Sequence, residues 1–467
     1  MQSLYRVAVL HAALAAATLP AFLAQAAEVS PRPLHQQEYW ARIEQRDFAA
    51  AIDVAQKLVD KTREQSPSDP LALAEALTLL GGAQLRNEDN LGAEATFVEA
   101  LGILERHVSS TSDRLIEPLE GLAYAYAETG RHEQAVPLLD RAVLITRRTY
   151  GLFDKGQRDM LNQLARSLTA LGLVNQAERH MAYLLQISEH RYGKRDPRVV
   201  PTMCEIASWY ADIGNFARAR EMYRSAIDLA ERMAGRNDPR VAEPLRGLAS
   251  TYLKELQRSL LRLKPFAPEH ILTNADGSRD PPKPMNPRML SDKGEEALAR
   301  AVKILTSQPE PDEAAVVPAL IELGDWFQVK HDPEKALHFY KRAAELKTQS
   351  VVAEESADAQ RLLTFPVRVY YPSPELATRY LTLSPDQVTE TFVEVEFTVT
   401  AAGAVTDARV LEHNGTDRQV SETLEAIRAA RFRPKFVGIE PVDTPGMKMR
   451  EVFRTRKESD AATESSS

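Results

Sequence analysis

The chain has almost no cysteine, because Cys204 is the only one among 467 residues. A single thiol cannot form an internal disulfide, so packing alone must stabilise the fold. A basic excess is also absent: 66 acidic residues outnumber 58 lysines and arginines, for a formal net charge of -8. Nucleic-acid-binding proteins need a clustered basic face, so this composition argues against a nucleic-acid partner.

Sequence signatures of catalysis are missing as well. The chain has no Walker loop, no Gly-x-Ser-x-Gly, no His-Glu-x-x-His, no cysteine pair and no Gly-rich dinucleotide fingerprint. Its 10 histidines are scattered, and the spacing of His180 and His190 does not favour a shared metal site. We therefore predict that the protein is not an enzyme and that it binds no cofactor and no metal.

Long apolar runs are confined to the N-terminus. An apolar run from Val7 to Leu23 follows a basic residue and precedes Ala-Gln-Ala, a small-x-small cleavage signal that ends at Ala26. This pattern predicts a signal peptide over residues 1–26, cut after Ala26, and an exported protein without a membrane span. The alternative is an uncleaved membrane anchor, although a run of about 17 residues is at the short limit for spanning a bilayer.

The central part of the chain repeats every 42 residues without gaps. One column of small residues, continued upstream by Gly81, contains Ala123, Ala165, Ala207 and Ala249. A second column, twelve positions later, contains Ala51, Ala93, Ala135, Ala177 and Ala219. Apolar residues flank both columns at helical spacing, so each unit is predicted to be two amphipathic helices. Glycines with a positive φ are expected to end the first helices at Gly130, Gly172 and Gly214.

These features resemble the tetratricopeptide repeat (TPR) in its 42-residue form, whose connection between units recurs here with Asp-Pro at positions 196 and 238. The resemblance implies a mainly α fold, a TPR-like α-solenoid of helix hairpins, over residues 31–350. A Pro-rich insertion at about residues 264–291 interrupts it, and this insertion is either a tolerated surface loop or a functional one.

Solenoids of this kind bind other chains on a curved inner face. In the TPR family the first helix of each unit lines this face, at fixed positions around the small residue. The contact residues that the resemblance implies are Glu120, Tyr124, Glu128, Asn162, Arg166, Ser208, Asp212 and Arg246. The alternative for most of them is an ordinary solvated position on a helix, and Cys204, on the same face, is expected to be a packing residue.

Near the C-terminus the apolar pattern changes from helical to alternating. The stretch from Val393 to Val399 alternates like a half-buried strand, and Gly403 marks a turn into a second strand. A helix with one apolar face follows, and Pro434 is expected to stop it. A third strand then completes the order β-β-α-β.

This order resembles the C-terminal domain of the TonB family, and its most specific element is Phe432-Arg433-Pro434 after the hairpin. The resemblance implies a small α+β domain over residues 365–455 of a periplasmic protein, followed by a disordered tail over residues 456–467. In that family a sheet edge pairs with an extended segment of an outer-membrane receptor. The edge implied here consists of Met447, Lys448, Met449, Arg450, Glu451 and Val452. The alternative is an edge whose charges guard against aggregation.

We interpret the chain as a periplasmic interaction scaffold or adaptor. Its solenoid would hold one protein, while the C-terminal sheet edge would accept an extended strand of another. The partners would be proteins of the cell envelope, and an outer-membrane protein is a candidate strand donor. The alternative is an atypical TonB-type energy transducer, which would need an uncleaved anchor and a long extended linker. The sequence does not indicate an oligomeric state.

Overall fold

The computed structural model describes residues 36–65, 69–260, 286–349, 363–374 and 388–456. The predicted signal peptide, most of the Pro-rich insertion and nearly all of the predicted C-terminal tail lie outside these residues. Within them the chain is mainly helical, with a small β-rich region at the C-terminal end. This agrees with the predicted fold class.

Fourteen α-helices come first among the described residues. In chain order they are α1 (Gln37–Glu44), α2 (Phe48–Gln65), α3 (Pro70–Arg86), α4 (Asn90–His107), α5 (Ile116–Glu128), α6 (His132–Tyr150), α7 (Arg158–Ala170), α8 (Val174–Tyr192), α9 (Val200–Asp212), α10 (Phe216–Ala234), α11 (Ala242–Leu260), α12 (Pro287–Thr306), α13 (Glu313–Val329) and α14 (Pro333–Gln349). Single 3-10 turns precede four of them, at Asp113–Leu115, Lys155–Gln157, Pro197–Val199 and Pro239–Val241.

These 3-10 turns recur with the 42-residue period of the sequence. At the start of each turn a short polar side chain accepts a backbone N–H, which satisfies a donor that the turn leaves unpaired. The four capping residues are Ser112, Asp154, Asp196 and Asp238. The Asp-Pro pairs therefore start a 3-10 turn that leads into the helix, and the helix proper begins three residues later.

Glycines end the helices at the predicted positions and at a second set of positions. Gly130, Gly172 and Gly214 have φ values of 77°, 75° and 79°, which confirms the prediction. A second column, not predicted to have positive φ, follows the other helix of each hairpin, at Gly151, Gly193 and Gly235. Left-handed backbone of this kind is strained for other residues, so both ends of the hairpin depend on glycine.

The chain divides into two compact units, one ending at Thr202 and the other beginning at Met203, within α9. In the first unit each of helices α2 to α7 packs against the next, and α3, α5 and α7 also contact one another in that order. The small residues of both predicted columns are fully buried in this unit: Ala51, Ala93, Ala123, Ala135, Ala165 and Ala177. We call the side formed by α3, α5 and α7 the inner face.

The second unit contains most of α9, helices α10 to α14 and the C-terminal domain. Its helix α12 begins at Pro287, so the last residues of the predicted insertion are helical. Asn286 caps this helix by accepting the N–H of Arg288, and a proline suits the first helical position because no donor is lost there. The insertion therefore ends earlier than residue 291.

In its described residues, the C-terminal domain contains seven strands and one helix. They are β1 (Val367–Tyr370), β2 (Val388–Val399), β3 (Val405–His413), α15 (Asp417–Ala429), β4 (Arg431–Arg433), β5 (Lys435–Val437), β6 (Glu440–Val442) and β7 (Thr444–Arg456). An antiparallel sheet in the order β3-β2-β7 forms the centre, while β1 pairs with β4 and β5 pairs with β6. The predicted β-β-α-β order is the order of β2, β3, α15 and β7.

The prediction that Pro434 stops the helix is wrong. Helix α15 ends at Ala429, and Arg431 to Arg433 form β4 against β1. Pro434 instead separates β4 from β5. The pairing with β1 accounts for the difference, because it gives the backbone of Arg431 to Arg433 hydrogen-bond partners that a helix would otherwise supply.

One face of the central sheet is buried, as the alternating pattern predicts. Val393, Val395 and Val399 are fully buried. Helix α15 covers them with its apolar stripe, and Phe432 fills the remaining space against Phe397, with 5.6 Å between the ring centroids. The opposite face carries charged side chains, which is the usual arrangement for an antiparallel sheet with one solvated side.

Candidate functional site

Five predicted contact residues lie together on the inner face. Glu120, Tyr124 and Glu128 are one turn apart on α5, and the hydroxyl of Tyr124 is 3.5 Å from the backbone oxygen of Asp159 at the start of α7. The charge of Arg166 on α7 acts on both Tyr124 and Glu128. Asn162 occupies the half-buried position one turn before Arg166. The predicted residues of α5 and α7 therefore form one surface.

Sequence reasoning missed the acidic side chains that extend this surface. Glu117 on α5 is half-buried, and burial raises its pKa to about 6, although Arg86 on α3 opposes this rise. Burial also raises the pKa of Asp159, against the charges of Arg158 and Arg166. Glu75 on α3 accepts a hydrogen bond from Gln36 at 2.7 Å and also acts on Glu117. We call Glu75, Glu117, Glu120, Glu128 and Asp159 the acidic cluster.

Glu120 differs from the other members of the acidic cluster. Its side chain is fully buried, and neither carboxylate oxygen has a hydrogen-bond partner. Burial raises its pKa well above the ordinary value of 4.5, and the nearby charges of Asp159 and Glu117 raise it further. A buried carboxyl group without partners costs free energy whether it is charged or neutral.

The three predicted contact residues of the second unit are occupied by neighbouring side chains. Arg246 forms a two-pronged ion pair with Glu322, with N–O distances of 2.8 and 2.5 Å. Asp212 accepts a hydrogen bond from Lys254 Nζ at 2.5 Å. Ser208 hydrogen-bonds the side chain of Tyr223. A partner could use these groups only by competing with contacts inside the chain.

In the C-terminal domain, β7 is an edge strand whose only partner among the described strands is β2. The orientation of its backbone follows from Phe392 in β2, whose N–H and C=O both bond to Asn414, at 2.6 and 3.1 Å, on the β3 side. The backbone N–H and C=O groups of successive residues in a strand point in opposite directions. The N–H and C=O of Val393 therefore point to β7. Its partner there, Glu451, therefore bonds to β2.

This alternation divides the six predicted edge residues into two sets. Met447, Met449 and Glu451 bond to β2, and their side chains lie on the covered face, where Glu451 accepts a hydrogen bond from the hydroxyl of Tyr371 at 2.7 Å. The second set presents its N–H and C=O groups to the open edge and its side chains to the outer face. It consists of Lys448, Arg450 and Val452.

The C-terminal domain is anchored to the last helical hairpin by a buried ion pair. Arg433 in β4 contacts Asp325 in α13 through two N–O pairs of 2.9 and 2.5 Å. The hydroxyl of Tyr340 in α14 donates to the same carboxylate at 2.7 Å. Burial opposes the charge on Arg433, but Asp325 more than offsets it and raises the pKa of the guanidinium. The arginine of the Phe-Arg-Pro segment is therefore a docking residue.

The turn between β2 and β3 adds a second contact to this anchor. Gln328 of α13 donates to the backbone oxygen of Ala402 at 2.9 Å, and Gly403 accepts the N–H of Phe432 at 2.8 Å. Gly403 has a φ of 79°, and a Cβ there would overlap both Phe432 and Gln328. The glycine predicted from the hairpin pattern thus lets the turn lie against the helix.

These surfaces define a class of protein, the helical-repeat scaffold for protein interactions with a small α+β domain docked onto its last hairpin. Family profiles identify the parts. Two tetratricopeptide repeat profiles match residues 119–155 and 156–232, and the Gram-negative bacterial TonB protein C-terminal profile matches residues 387–454. The protein is a tetratricopeptide-repeat protein with a TonB C-terminal domain, as predicted.

Solved structures share the helical-repeat character at low sequence identity. BtubC (BKLC) from P. vanneervenii is 19% identical to this chain, with a TM-score of 0.32. The match covers 65% of this chain and 91% of the BtubC chain. A putative kinesin light chain from Podosopora anserina is 17% identical over 51% and 96% of the two chains, with a TM-score of 0.34. Aspartyl phosphate phosphatase F from Bacillus subtilis is 13% identical over 68% and 70%, with a TM-score of 0.37.

TM-scores below 0.5 are no evidence for a shared function or binding geometry. No curated protein matches the chain at a significant level. A search for membrane spans, confined to the residues that the structure describes, finds no helix of sufficient length and apolarity.

Proposed function

We propose that the protein is a periplasmic scaffold that is exported with a signal peptide and holds two envelope proteins together. The inner face would bind one of them, and the open edge of β7 would accept an extended strand of the other. The observation that carries this proposal is the edge itself, because β2 is the only strand that pairs with β7 among the described residues. Strand addition gains affinity from backbone hydrogen bonds at such an edge.

Docking of the domain supports this mechanism. A strand acceptor that is already fixed by Arg433 and Asp325 loses little conformational entropy when its partner binds. Two sites on one chain also raise apparent affinity, since binding at one site increases the local concentration of the second partner. The scaffold would therefore bring an outer-membrane protein and a second envelope protein together.

An energy transducer is the competing function, and the TonB C-terminal match favours it. A transducer needs a membrane anchor and a domain at the end of a long extended linker, whereas Arg433 and Asp325 hold this domain on a helical hairpin. N-terminal sequencing of the exported protein separates the two functions. A chain that begins at Ala27 has lost any anchor, and a membrane-bound chain that retains Met1 would contradict the scaffold.

Proline substitutions test strand addition. Arg450→Pro removes an N–H from the open edge without removing a ladder bond to β2, because the N–H of Arg450 points away from β2. We expect capture of the strand-donating partner from an envelope fraction to fall at least about tenfold, the loss associated with about 1.4 kcal/mol. Quantitative pull-down with the full chain measures this, and Arg450→Ala is the matched control for the side chain.

A second proline variant tests which residues of β7 bond to β2 and which face the open edge. Met449→Pro removes a ladder bond to β2, so it should lower the stability of the domain as well as capture. Arg450→Pro should lower capture with little change in the unfolding transition. Unchanged capture in both variants would rule out strand addition at β7.

A further inference from the structure

The inner face of the first unit contains a negative site that its own chain does not neutralise. Glu120 has no hydrogen-bond partner at either oxygen although it is fully buried. The charged groups that act on it are both carboxylates, Asp159 and Glu117. Each of those carboxylates is influenced by an arginine, but none acts on Glu120. The centre of the acidic cluster therefore lacks a positive charge.

We infer that this site binds the cationic side chain of a lysine or arginine in an extended basic segment of a partner protein. The inference rests on the proposed scaffold function and specifies the chemistry of one of its partners. The cation would contact the half-buried carboxylates of Glu117 and Asp159 and would favour the ionised form of Glu120 beneath them. Charge-assisted hydrogen bonds of this kind are about twice as strong as neutral ones.

A peptide fits the surface better than a metal ion does. Within the residues that the structure describes, no three His, Cys, Asp or Glu side chains are arranged to hold a metal. The acidic residues are instead spread along the inner face, with Glu75 on α3, Glu128 at the end of α5 and Asp159 on α7. Tyr124, half-buried between these charges, offers a ring on which an aliphatic stem or a guanidinium can pack.

The affinity of the acidic cluster for a cation should increase with pH, because its carboxyl groups ionise. The groups that face the site are Glu75, Arg86, Glu117, Glu120, Tyr124, Glu128, Arg158, Asp159 and Arg166. A cation binds to ionised carboxylates, and burial raises the pKa of Glu117 to about 6 and the pKa of Glu120 well above its ordinary value. Affinity should therefore rise as the pH increases through about 6, with release of protons on binding.

The test uses the full chain and a labelled peptide of alternating lysine and serine, with fluorescence anisotropy as the readout. The same peptide with acetylated lysines is the neutral control. We expect Glu120→Gln and Asp159→Asn each to weaken binding at least about tenfold. Glu64→Gln, on the exposed surface of α2, is the matched control and should leave binding unchanged. Asp159 is half-buried, so its variant keeps the test valid if Glu120→Gln folds poorly.

Three results would overturn the inference. They are no binding of the basic peptide, equal binding of the acetylated peptide, or equal binding of the basic peptide by the wild type and by both the Glu120→Gln and Asp159→Asn variants. Failure here is distinguishable from failure of the scaffold function. If partner capture still depends on the edge of β7, the scaffold stands and only the basic-segment site is lost. If neither the Glu120 and Asp159 variants nor the Arg450→Pro variant changes capture, the scaffold function itself is wrong.

Discussion

At the scale of single residues, Glu120 is a side chain that lowers the stability of the fold. Its burial without a partner costs free energy that a leucine or methionine at the same position would not cost. The folded state holds a proton on Glu120 at pH values where the unfolded chain, with its ordinary pKa of 4.5, has released it. Stability from this residue is therefore lost as the pH rises above 4.5.

Replacement of Glu120 by methionine should stabilise the first unit at high pH. We expect the Glu120→Met free energy of unfolding to exceed the wild-type value by about 1–3 kcal/mol near pH 8, because an apolar side chain replaces a buried carboxyl group without partners, which is ionised in the unfolded chain. Near pH 5 the difference should shrink, since Glu120 is neutral there in the folded state and mostly ionised only in the unfolded chain. Urea unfolding at both pH values measures the effect, and an equal difference at both would contradict it.

In the helix hairpins, some glycines make room for an aromatic ring of the neighbouring helix. Gly81 in α3 and Gly121 in α5 both face the ring of Phe97 in α4, and a Cβ at either position would overlap that ring. In the second unit Gly324 faces the ring of Tyr340 in the same way. The small residues of the repeat are thus required by the close approach of an aromatic side chain from the neighbouring helix, because interiors are tightly packed.

Two glycine-to-alanine substitutions should change stability in opposite directions. Gly121→Ala forces the ring of Phe97 to move, and such overpacking typically costs about 1–3 kcal/mol. Gly102→Ala, on the exposed side of α4, meets no atom within 4 Å and should stabilise the helix by about 0.5–1 kcal/mol through its better helix propensity. Thermal unfolding of the two variants provides the comparison, and a loss of stability in both would contradict this explanation.

In the second unit the C-terminal domain and the last helical hairpin form a single folded body. The buried ion pair between Arg433 and Asp325 joins them, and Lys341 adds an exposed ion pair with Glu440 at 2.8 Å. Exposed pairs contribute little because water screens them, whereas breaking a buried pair leaves an uncompensated charge. The position of the β7 edge is therefore set mainly by the buried pair.

The two ion pairs of this interface provide a matched test. Asp325→Ala should cost about 3–5 kcal/mol, because Arg433 remains buried and charged without its carboxylate. Lys341→Ala should change stability by less than about 1 kcal/mol. Denaturant unfolding of the full chain measures both, and limited proteolysis should release the C-terminal domain only from Asp325→Ala. Equal effects of the two substitutions would mean that the buried pair does not anchor the domain.

Much of the fold could be predicted because its signals are local in sequence. The columns of small residues, the glycines at Gly130, Gly172 and Gly214 and the alternation from Val393 to Val399 each depend on neighbours within a few residues. The end of α15 was not predictable, since β4 exists only because β1 pairs with it. Strand pairing over that distance leaves no periodic trace in the sequence.

The candidate sites were predictable only in part. The resemblance to the TPR family indicated Glu120 and Tyr124 as inner-face residues, but Arg246 on the equivalent face of the second unit is bound to Glu322. The same side-chain position can thus lack a hydrogen-bond partner in one repeat, as at Glu120, and have one in another. Which of the two applies depends on a residue 76 positions away.

The repeating hairpins and the half-buried sheet follow from local sequence patterns, because helix periodicity, capping and strand alternation act over a few residues. The pairing of Arg433 with Asp325, 108 positions away, and the lack of a cation beside Glu120 depend on the folded chain. The same is true of the residues of β7 that face the open edge. Burial and pairing depend on groups brought together from distant parts of the chain, and a carboxylate has the same letter in the sequence whether it is solvated, paired or left without a partner.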